Sequence, residues 1–86
     1  MYKIIFSKHA IKDAGKIKKS NLKEKCLNIL NILSSDPFSI IPPYEKLAGD
    51  LKGFYFRRIN IQHRLIYQVN EQDKIVKILR MWSHYD

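Results

Sequence analysis

The chain has 86 residues, of which 45% are hydrophobic and 28% are charged, and its formal net charge at pH 7 is +8. This length predicts a single domain over residues 1–86 with a modest core, and the composition excludes a disordered chain. The positive charge predicts an anionic partner, which is either a nucleic acid or an acidic protein, and less readily a membrane surface.

Cysteine usage and hydropathy narrow the class further. Cys26 is the only cysteine, which excludes an intramolecular disulfide and a zinc site made of cysteines. Apolar runs are all shorter than a membrane span, and the N-terminus lacks the apolar stretch of a signal peptide. We therefore expect a cytoplasmic protein with no membrane association.

The N-terminal half predicts a strand followed by two helices. Residues 2–6 favour a strand, and Ser7 is a suitable N-cap for a helix of about ten residues. Asn21 with Glu24 resembles a capping box, which predicts a second helix from Leu22 to about Ser34. The apolar positions of the two helices are Ala10, Ile11, Ala14 and Ile17, and then Leu22, Cys26, Ile29, Leu30 and Leu33.

The C-terminal half predicts three strands after an irregular connection over residues 44–53. The predicted strands are Phe54–Ile61, Arg64–Val69 and Ile75–Trp82, with a polar hairpin loop between the last two. The order is β-α-α-β-β-β. We therefore predict an α+β fold in which an N-terminal helical hairpin packs on one face of a small, mainly antiparallel sheet.

Arginines inside the predicted strands are the main functional signal. Leu65 and Arg64 point to opposite faces of a strand, so helices that cover Leu65 leave Arg64 on the open face. Arg57 and Arg58 also alternate between faces, so at most one of them can join a given site, and the other is expected at the rim or in a helix-side ion pair. His63 points away from Arg64 and is interpreted as structural.

Parity suggests that the last strand contributes to the same surface. Arg80, Trp82 and His84 share a face if that strand stays regular to its end. Arginines and aromatic rings on an open sheet face are typical of a surface that binds single-stranded RNA. The helical lysines are interpreted as a solvated face, with RNA contact as the alternative.

The chain contains the groups that metal-free RNA cleavage needs. A base must accept the 2′-OH proton, an acid must protonate the leaving 5′-oxygen, and cations must stabilise the phosphorane. Glu45, His84 and the arginines could supply these functions. His9, His63 and His84 lack metal-ligand spacing, so we predict no metal and no cofactor.

Two stretches together resemble one known family. Residues 45–47 are Glu-Lys-Leu, residues 50–67 are Asp-Leu-Lys-Gly-Phe-Tyr-Phe-Arg-Arg-Ile-Asn-Ile-Gln-His-Arg-Leu-Ile-Tyr, and residues 84 and 85 are His-Tyr. This combination resembles the Txe/YoeB toxins of the RelE superfamily. The resemblance implies a RelE-like, microbial-RNase-like fold and a toxin of a type II toxin–antitoxin pair that cuts mRNA in the ribosomal A site.

The resemblance also implies residue roles and partners. Glu45 would be the general base and His84 the general acid, Arg64 would stabilise the phosphorane, and Tyr85 would position the nucleotide. The implied partners are the ribosome, mRNA and an acidic antitoxin of the YefM/Axe type, with a homodimer left open. The residues expected to contact RNA are Arg58, Lys46, Trp82 and Arg80.

Two other functions stay open at this point. Toxins of the same fold bind gyrase and cut no RNA, and a degenerate relative could do no more than bind its antitoxin. The set of Glu45, Arg64 and His84 argues against the gyrase alternative, because those toxins lack these acid–base groups.

Overall fold

The computed structural model describes residues 1–41, 43–47 and 53–84, with the backbone alone at 83 and 84. Within these ranges the elements are β1 (Lys3–Phe6), α1 (Lys8–Lys18), α2 (Lys23–Ser35), β2 (Glu45–Lys46), β3 (Phe54–Arg58), β4 (His63–Asn70) and β5 (Ile75–His84). The strands form one sheet in the order β1-β5-β4-β3-β2. The β1–β5 pair is parallel and the other pairs are antiparallel, which confirms the predicted α+β class with a mainly antiparallel sheet.

The two helices begin in different ways, because only α1 has an N-cap side chain that binds a free backbone amide. The Ser7 hydroxyl accepts a hydrogen bond from the Ala10 amide and donates one to the Leu79 carbonyl, which ties α1 to β5. The capping box at Asn21 is wrong, because α2 begins one residue later than that box requires and Leu22 is its N-cap. Leu22 takes this position because its side chain is buried in the core, while Ser20 accepts a hydrogen bond from the Leu22 amide.

The core lies between the helical hairpin and one face of the sheet. Leu65 and Tyr67 of β4 are fully buried there, whereas Gln68 is exposed on the other face. The alternation predicted for β4 is therefore confirmed. The helical residues of the core are Ala10, Ile17, Leu22, Cys26, Ile29 and Leu33. In the described part of the chain, neither helix has the length and apolar character needed to cross a lipid bilayer.

Part of the connection predicted as irregular is a short edge strand. β2 pairs with β3 so that Glu45 lies opposite Phe56 and Lys46 opposite Tyr55. Residues 48–52 of the connection predicted as irregular lie outside the described residues. The edge strand places Glu45 beside Arg58 of β3, which the sequence did not indicate.

The turn between β3 and β4 begins earlier than predicted. β3 ends at Arg58 instead of Ile61, and the Asn60 side-chain oxygen accepts hydrogen bonds from the amides of Gln62 and His63. Asparagine commonly closes turns in this way, because its side chain imitates a backbone acceptor.

β5 is irregular near its end, so the regular strand assumed above for Arg80, Trp82 and His84 is wrong. Ile78 lies opposite Tyr67, but Arg80 lies opposite Ile66 and Ser83 opposite Arg64. Each step advances β5 by one residue more than β4, as β-bulges do. The bulges change which face each residue of β5 presents after Ile78.

Candidate functional site

Three charged residues from three neighbouring strands form a cluster on the open face of the sheet. Arg58 of β3 lies directly opposite Arg64 of β4. Glu45 of the edge strand is next to them, with a carboxylate oxygen 3.8 Å from Nε of Arg58. The Arg64 guanidinium lies over the Phe56 ring, 5.0 Å from its centroid. The structure thus brings together three of the residues predicted for the site.

The electrostatics of this cluster favour an anion. Like charges directly opposite each other on adjacent strands repel, and Arg58 and Arg64 are such a pair. Glu45 offsets one of these two positive charges at most. The side chains of Glu45 and Arg58 are 56% and 59% exposed, so their ion pair contributes little to stability and both groups are accessible. A phosphate at this position would relieve the repulsion and accept hydrogen bonds from planar guanidinium groups.

Arg57, which points away from Arg58, is a buried residue that holds the chain leading to the site. The residue is 1% exposed, and its guanidinium donates hydrogen bonds to the carbonyls of Pro37 and Ser39, at 3.0 and 2.8 Å, and to the Tyr67 hydroxyl at 3.1 Å. It also lies 5.4 Å from the centroid of the Tyr44 ring. A rim position was one of the two places expected for the arginine that does not join the site. For Arg57 this expectation is wrong, because the residue is buried.

The contacts of Arg57 matter because Tyr44 directly precedes Glu45. Tyr44 packs edge-on against Phe38 and Tyr55, and Tyr55 stacks on Tyr67. Burial raises the pKa of Tyr67, although the nearby Arg57 guanidinium opposes this rise. The phenol therefore stays protonated, and its hydroxyl can both accept and donate a hydrogen bond. This cluster of rings fixes the entry into β2 and so the place of Glu45.

The end of β5 is attached to α1 through Asp13. One oxygen of this buried carboxylate accepts hydrogen bonds from the Met81 amide at 2.9 Å, the Trp82 amide at 3.2 Å and Nε of Arg80 at 2.9 Å. Burial by itself raises the pKa of Asp13, but these hydrogen bonds outweigh it and leave the pKa below its usual value. The same ion pair raises the pKa of Arg80.

The predicted residues of β5 therefore occupy different surroundings from the arginine cluster. Arg80 is directed toward α1, where it binds Asp13, and its side chain remains 42% exposed. Trp82 stacks on the buried His63, with ring centroids 4.1 Å apart. His63 is thus a packing residue, as its strand parity predicted.

The predicted acid and the residue after it lie where little is described. His84 is the last residue of β5, and its backbone pairs with that of His63. The His84 side chain and all of Tyr85 lie outside the described part of the structure. Lys46 is exposed on β2, next to Glu45. Among the described residues, no three His, Cys, Asp or Glu side chains form a group that could hold a metal ion.

The sequence did not reveal two positioning residues. Arg57 holds the segment that leads to Glu45, and Asp13 holds the end of β5. Asp13 carried a usable signal, because it lies on the same helical stripe as the buried residues Ala10 and Ile17. A carboxylate on an apolar stripe needs a partner, since burying an unpaired charge is costly. Arg57 had the weaker signal of pointing toward the core side of its strand.

Comparison with known proteins shows consistent similarity along the chain. Residues 6–85 match the family model of the YoeB-like toxin of bacterial type II toxin–antitoxin systems. The chain is 32% identical over 85 residues to Toxin YoeB of Streptomyces coelicolor, which covers 96% of this chain and 99% of that protein. It is 37% identical over 57 residues to Toxin YoeB of Mycobacterium bovis, a match that covers 66% of this chain and 65% of that protein's length.

Solved structures share the fold described above. The YoeB dimer from Staphylococcus aureus superimposes with a TM-score of 0.83 at 32% identity and 98% coverage of both chains. The toxin in the heterotetrameric YoeB–YefM complex of the same organism gives a TM-score of 0.82 at 31% identity, with 99% of both chains covered.

Proposed function

Because this chain belongs to the family of YoeB-like toxins of bacterial type II toxin–antitoxin systems, we propose that it is a ribosome-dependent endoribonuclease. Its substrate is mRNA in the ribosomal A site, and it acts in the cytoplasm by metal-independent acid–base catalysis. The observation that carries this proposal is the pairing of Arg58 and Arg64 beside Glu45 on the open face of the sheet. A carboxylate beside an exposed and a half-buried guanidinium group suits a phosphodiester whose neighbouring hydroxyl must lose a proton.

The proposed reaction uses one proton acceptor and one proton donor. Glu45 accepts the proton of the 2′-OH, and the 2′-oxygen then forms a bond to the adjacent phosphorus. The bond from phosphorus to the 5′-oxygen breaks as His84 donates a proton to that oxygen. The products are a 2′,3′-cyclic phosphate and a 5′-hydroxyl. Arg64 stabilises the charge of the phosphorane, with Arg58 in support.

The remaining predicted residues have supporting roles in this proposal. Tyr85 positions the nucleotide, and Lys46 extends the positive surface next to Glu45. Arg80 and Trp82 hold the end of β5, since their described contacts are with Asp13 and His63. The acid His84 follows them on the same strand.

The partners follow from the size, charge and family of the chain. An 86-residue domain offers little surface to hold an extended RNA, so the ribosome supplies the orientation of the mRNA. The net charge of +8 suits an acidic antitoxin, and a relative is known in a YoeB–YefM complex. A homodimer is the expected free state, as a relative is described as a dimer.

The test is single-turnover cleavage of mRNA on programmed ribosomes. Glu45→Gln and Arg64→Ala should each lower the rate by roughly 10²–10⁴-fold, the usual contribution of a general base or of charge stabilisation. Glu71→Gln is the matched control, because Glu71 is an exposed carboxylate in the turn after β4. Sequencing of the products should find the cuts within A-site codons.

Two results would contradict the proposal. Wild-type rates for both the Glu45 and Arg64 variants would remove these residues from the reaction. Equal cleavage of free and ribosome-bound mRNA at matched enzyme concentration would remove the ribosome dependence, while leaving the nuclease assignment in place.

A further inference from the structure

Phe56 is a buried aromatic residue on the face of the sheet that the helices leave open. It shares this face with Arg58, because the two residues are two positions apart on β3, yet only 7% of Phe56 is exposed. Among the described residues, the core cluster between the helices and the sheet does not include it. Side chains of the open face therefore cover Phe56, and the Arg64 guanidinium, 5.0 Å from the centroid of its ring, is one of them.

The strand register places this ring between two residues of the charged cluster. β3 lies between β2 and β4 in the sheet, and Phe56 is directly opposite Glu45 on one side and Ile66 on the other. Arg64 comes two positions before Ile66, so it is a diagonal neighbour of Phe56. An aromatic ring and a long side chain can bridge the distance between diagonal neighbours. Position 56 is thus adjacent to Glu45 and also within reach of Arg64.

An aromatic ring supports a guanidinium group in a particular way. A carboxylate or an amide would hold Arg64 by accepting hydrogen bonds from some of its N–H groups. The face of a ring attracts the cation electrostatically, and the N–H groups, which lie in the plane of the guanidinium, are not used in this contact. A side chain that is ordered in advance also avoids the entropy cost of being fixed during the reaction.

We propose that Phe56 is a positioning residue that orders the Arg64 guanidinium so that it can stabilise the phosphorane. This role rests on the proposed function, and it adds to that function a residue that acts through Arg64 and does not touch the RNA. A platform on which an RNA base stacks is a poorer role for Phe56, because a residue that is 7% exposed offers a base little surface.

Nuclear magnetic resonance of the free protein measures the positioning without any RNA. In the wild type we expect Overhauser contacts between the Arg64 side chain and the Phe56 ring, and a high order parameter for Nε of Arg64. Phe56→Leu should lower this order parameter, whereas Phe54→Leu should leave it unchanged. Phe54 is the matched control, because it lies on the same face of β3 two positions earlier and pairs with Gln68 instead of a residue near Arg64.

Single-turnover cleavage of mRNA on programmed ribosomes measures the effect on the reaction. Phe56→Leu should lower the maximal rate about tenfold, which corresponds to ~1.4 kcal/mol, with little change in the concentration that gives half of that rate. Phe54→Leu should change neither quantity, and Phe56→Tyr, which keeps the ring, should cleave nearly as fast as the wild type. Urea unfolding checks that each variant is folded in the assay. Phe56→Met takes the place of Phe56→Leu if leucine unfolds the chain, since methionine also lacks a ring and fills irregular space.

A double-mutant cycle identifies the group through which Phe56 acts. In the Arg64→Ala background, Phe56→Leu should lower the rate no further, because the guanidinium that the ring orders is absent. In the Glu45→Gln background, the loss of about tenfold should persist. A side chain that only maintained the strand would lower the rate by the same factor in both backgrounds.

Several results would overturn the proposal. These are equal rates for the wild type and Phe56→Leu, equal losses in Phe56→Leu and Phe54→Leu, an undiminished loss in the Arg64→Ala background, or no contact between Arg64 and the ring in the wild type. A loss confined to ribosome binding would make Phe56 part of a binding surface, which also contradicts the proposal. If the wild type does not cleave mRNA, only the proposed function fails, and the order parameters of Arg64 still decide whether Phe56 positions it.

Discussion

Replacement of Asp13 by alanine should destabilise the fold more than replacement of its partner Arg80. The Asp13 carboxylate accepts hydrogen bonds from two backbone amides as well as from Arg80. Each buried donor left without an acceptor costs about 1–3 kcal/mol, so Asp13→Ala should cost about 3–5 kcal/mol. A domain of 86 residues has a total stability of roughly 4–13 kcal/mol, so this loss is a large part of it.

Arg80→Ala removes a partner whose side chain is 42% exposed and leaves both amide hydrogen bonds to Asp13 in place. Its cost should be only about 1–2 kcal/mol. Urea unfolding measures both variants, and fluorescence of Trp82, the only tryptophan, reports on the end of β5. If Asp13→Ala costs no more than Arg80→Ala, the two amide hydrogen bonds do not anchor β5 and the reasoning is refuted.

The pH dependence of stability provides a second measure of the same contact. The pKa of Asp13 is lowered in the folded state, so its contribution is complete above the ordinary carboxyl pKa of about 3.9. That contribution is lost as the pH falls through the lower folded pKa, because the unfolded chain binds a proton at Asp13 more readily than the folded chain does. The difference in unfolding free energy between the wild type and Asp13→Asn should therefore shrink below about pH 4. A difference that stays constant on acidification would contradict this assignment.

Three further predictions concern residues away from this contact. Gly15→Ala should raise the free energy of unfolding by about 0.5–1 kcal/mol, because a helix-interior glycine is replaced where a Cβ meets no neighbour, and a loss of stability in urea unfolding would contradict this. Arg57→Met should lower the free energy of unfolding by about 3 kcal/mol or more, since the carbonyls of Pro37 and Ser39 lose their buried donor. A cost below about 1 kcal/mol would show that Arg57 does not hold this segment. Burial raises the pKa of the Cys26 thiol to about 11, so this thiol should react with a thiol reagent at neutral pH only after denaturant is added. Rapid labelling of the folded protein would show instead that the thiol is accessible.

The sequence by itself determined the elements whose signals are local. Apolar residues spaced for one helix face predicted α1 and α2, and Ser7 predicted where the first helix begins. Alternation along β4 placed Leu65 in the core and Arg64 on the open face, and the structure agrees. These features were accessible because each depends on residues within one or two turns or strand repeats of one another.

The tertiary structure alone decided how distant segments meet. Asp13 and Arg80 are 67 positions apart, and the bulges that turn the amides of Met81 and Trp82 toward Asp13 have no period that a sequence reveals. The pairing of β2 that brings Glu45 to Arg58 also joins residues that no local pattern connects. A bulge or an edge pairing is selected by the sum of contacts across the whole sheet, and a local pattern of residues does not contain that sum.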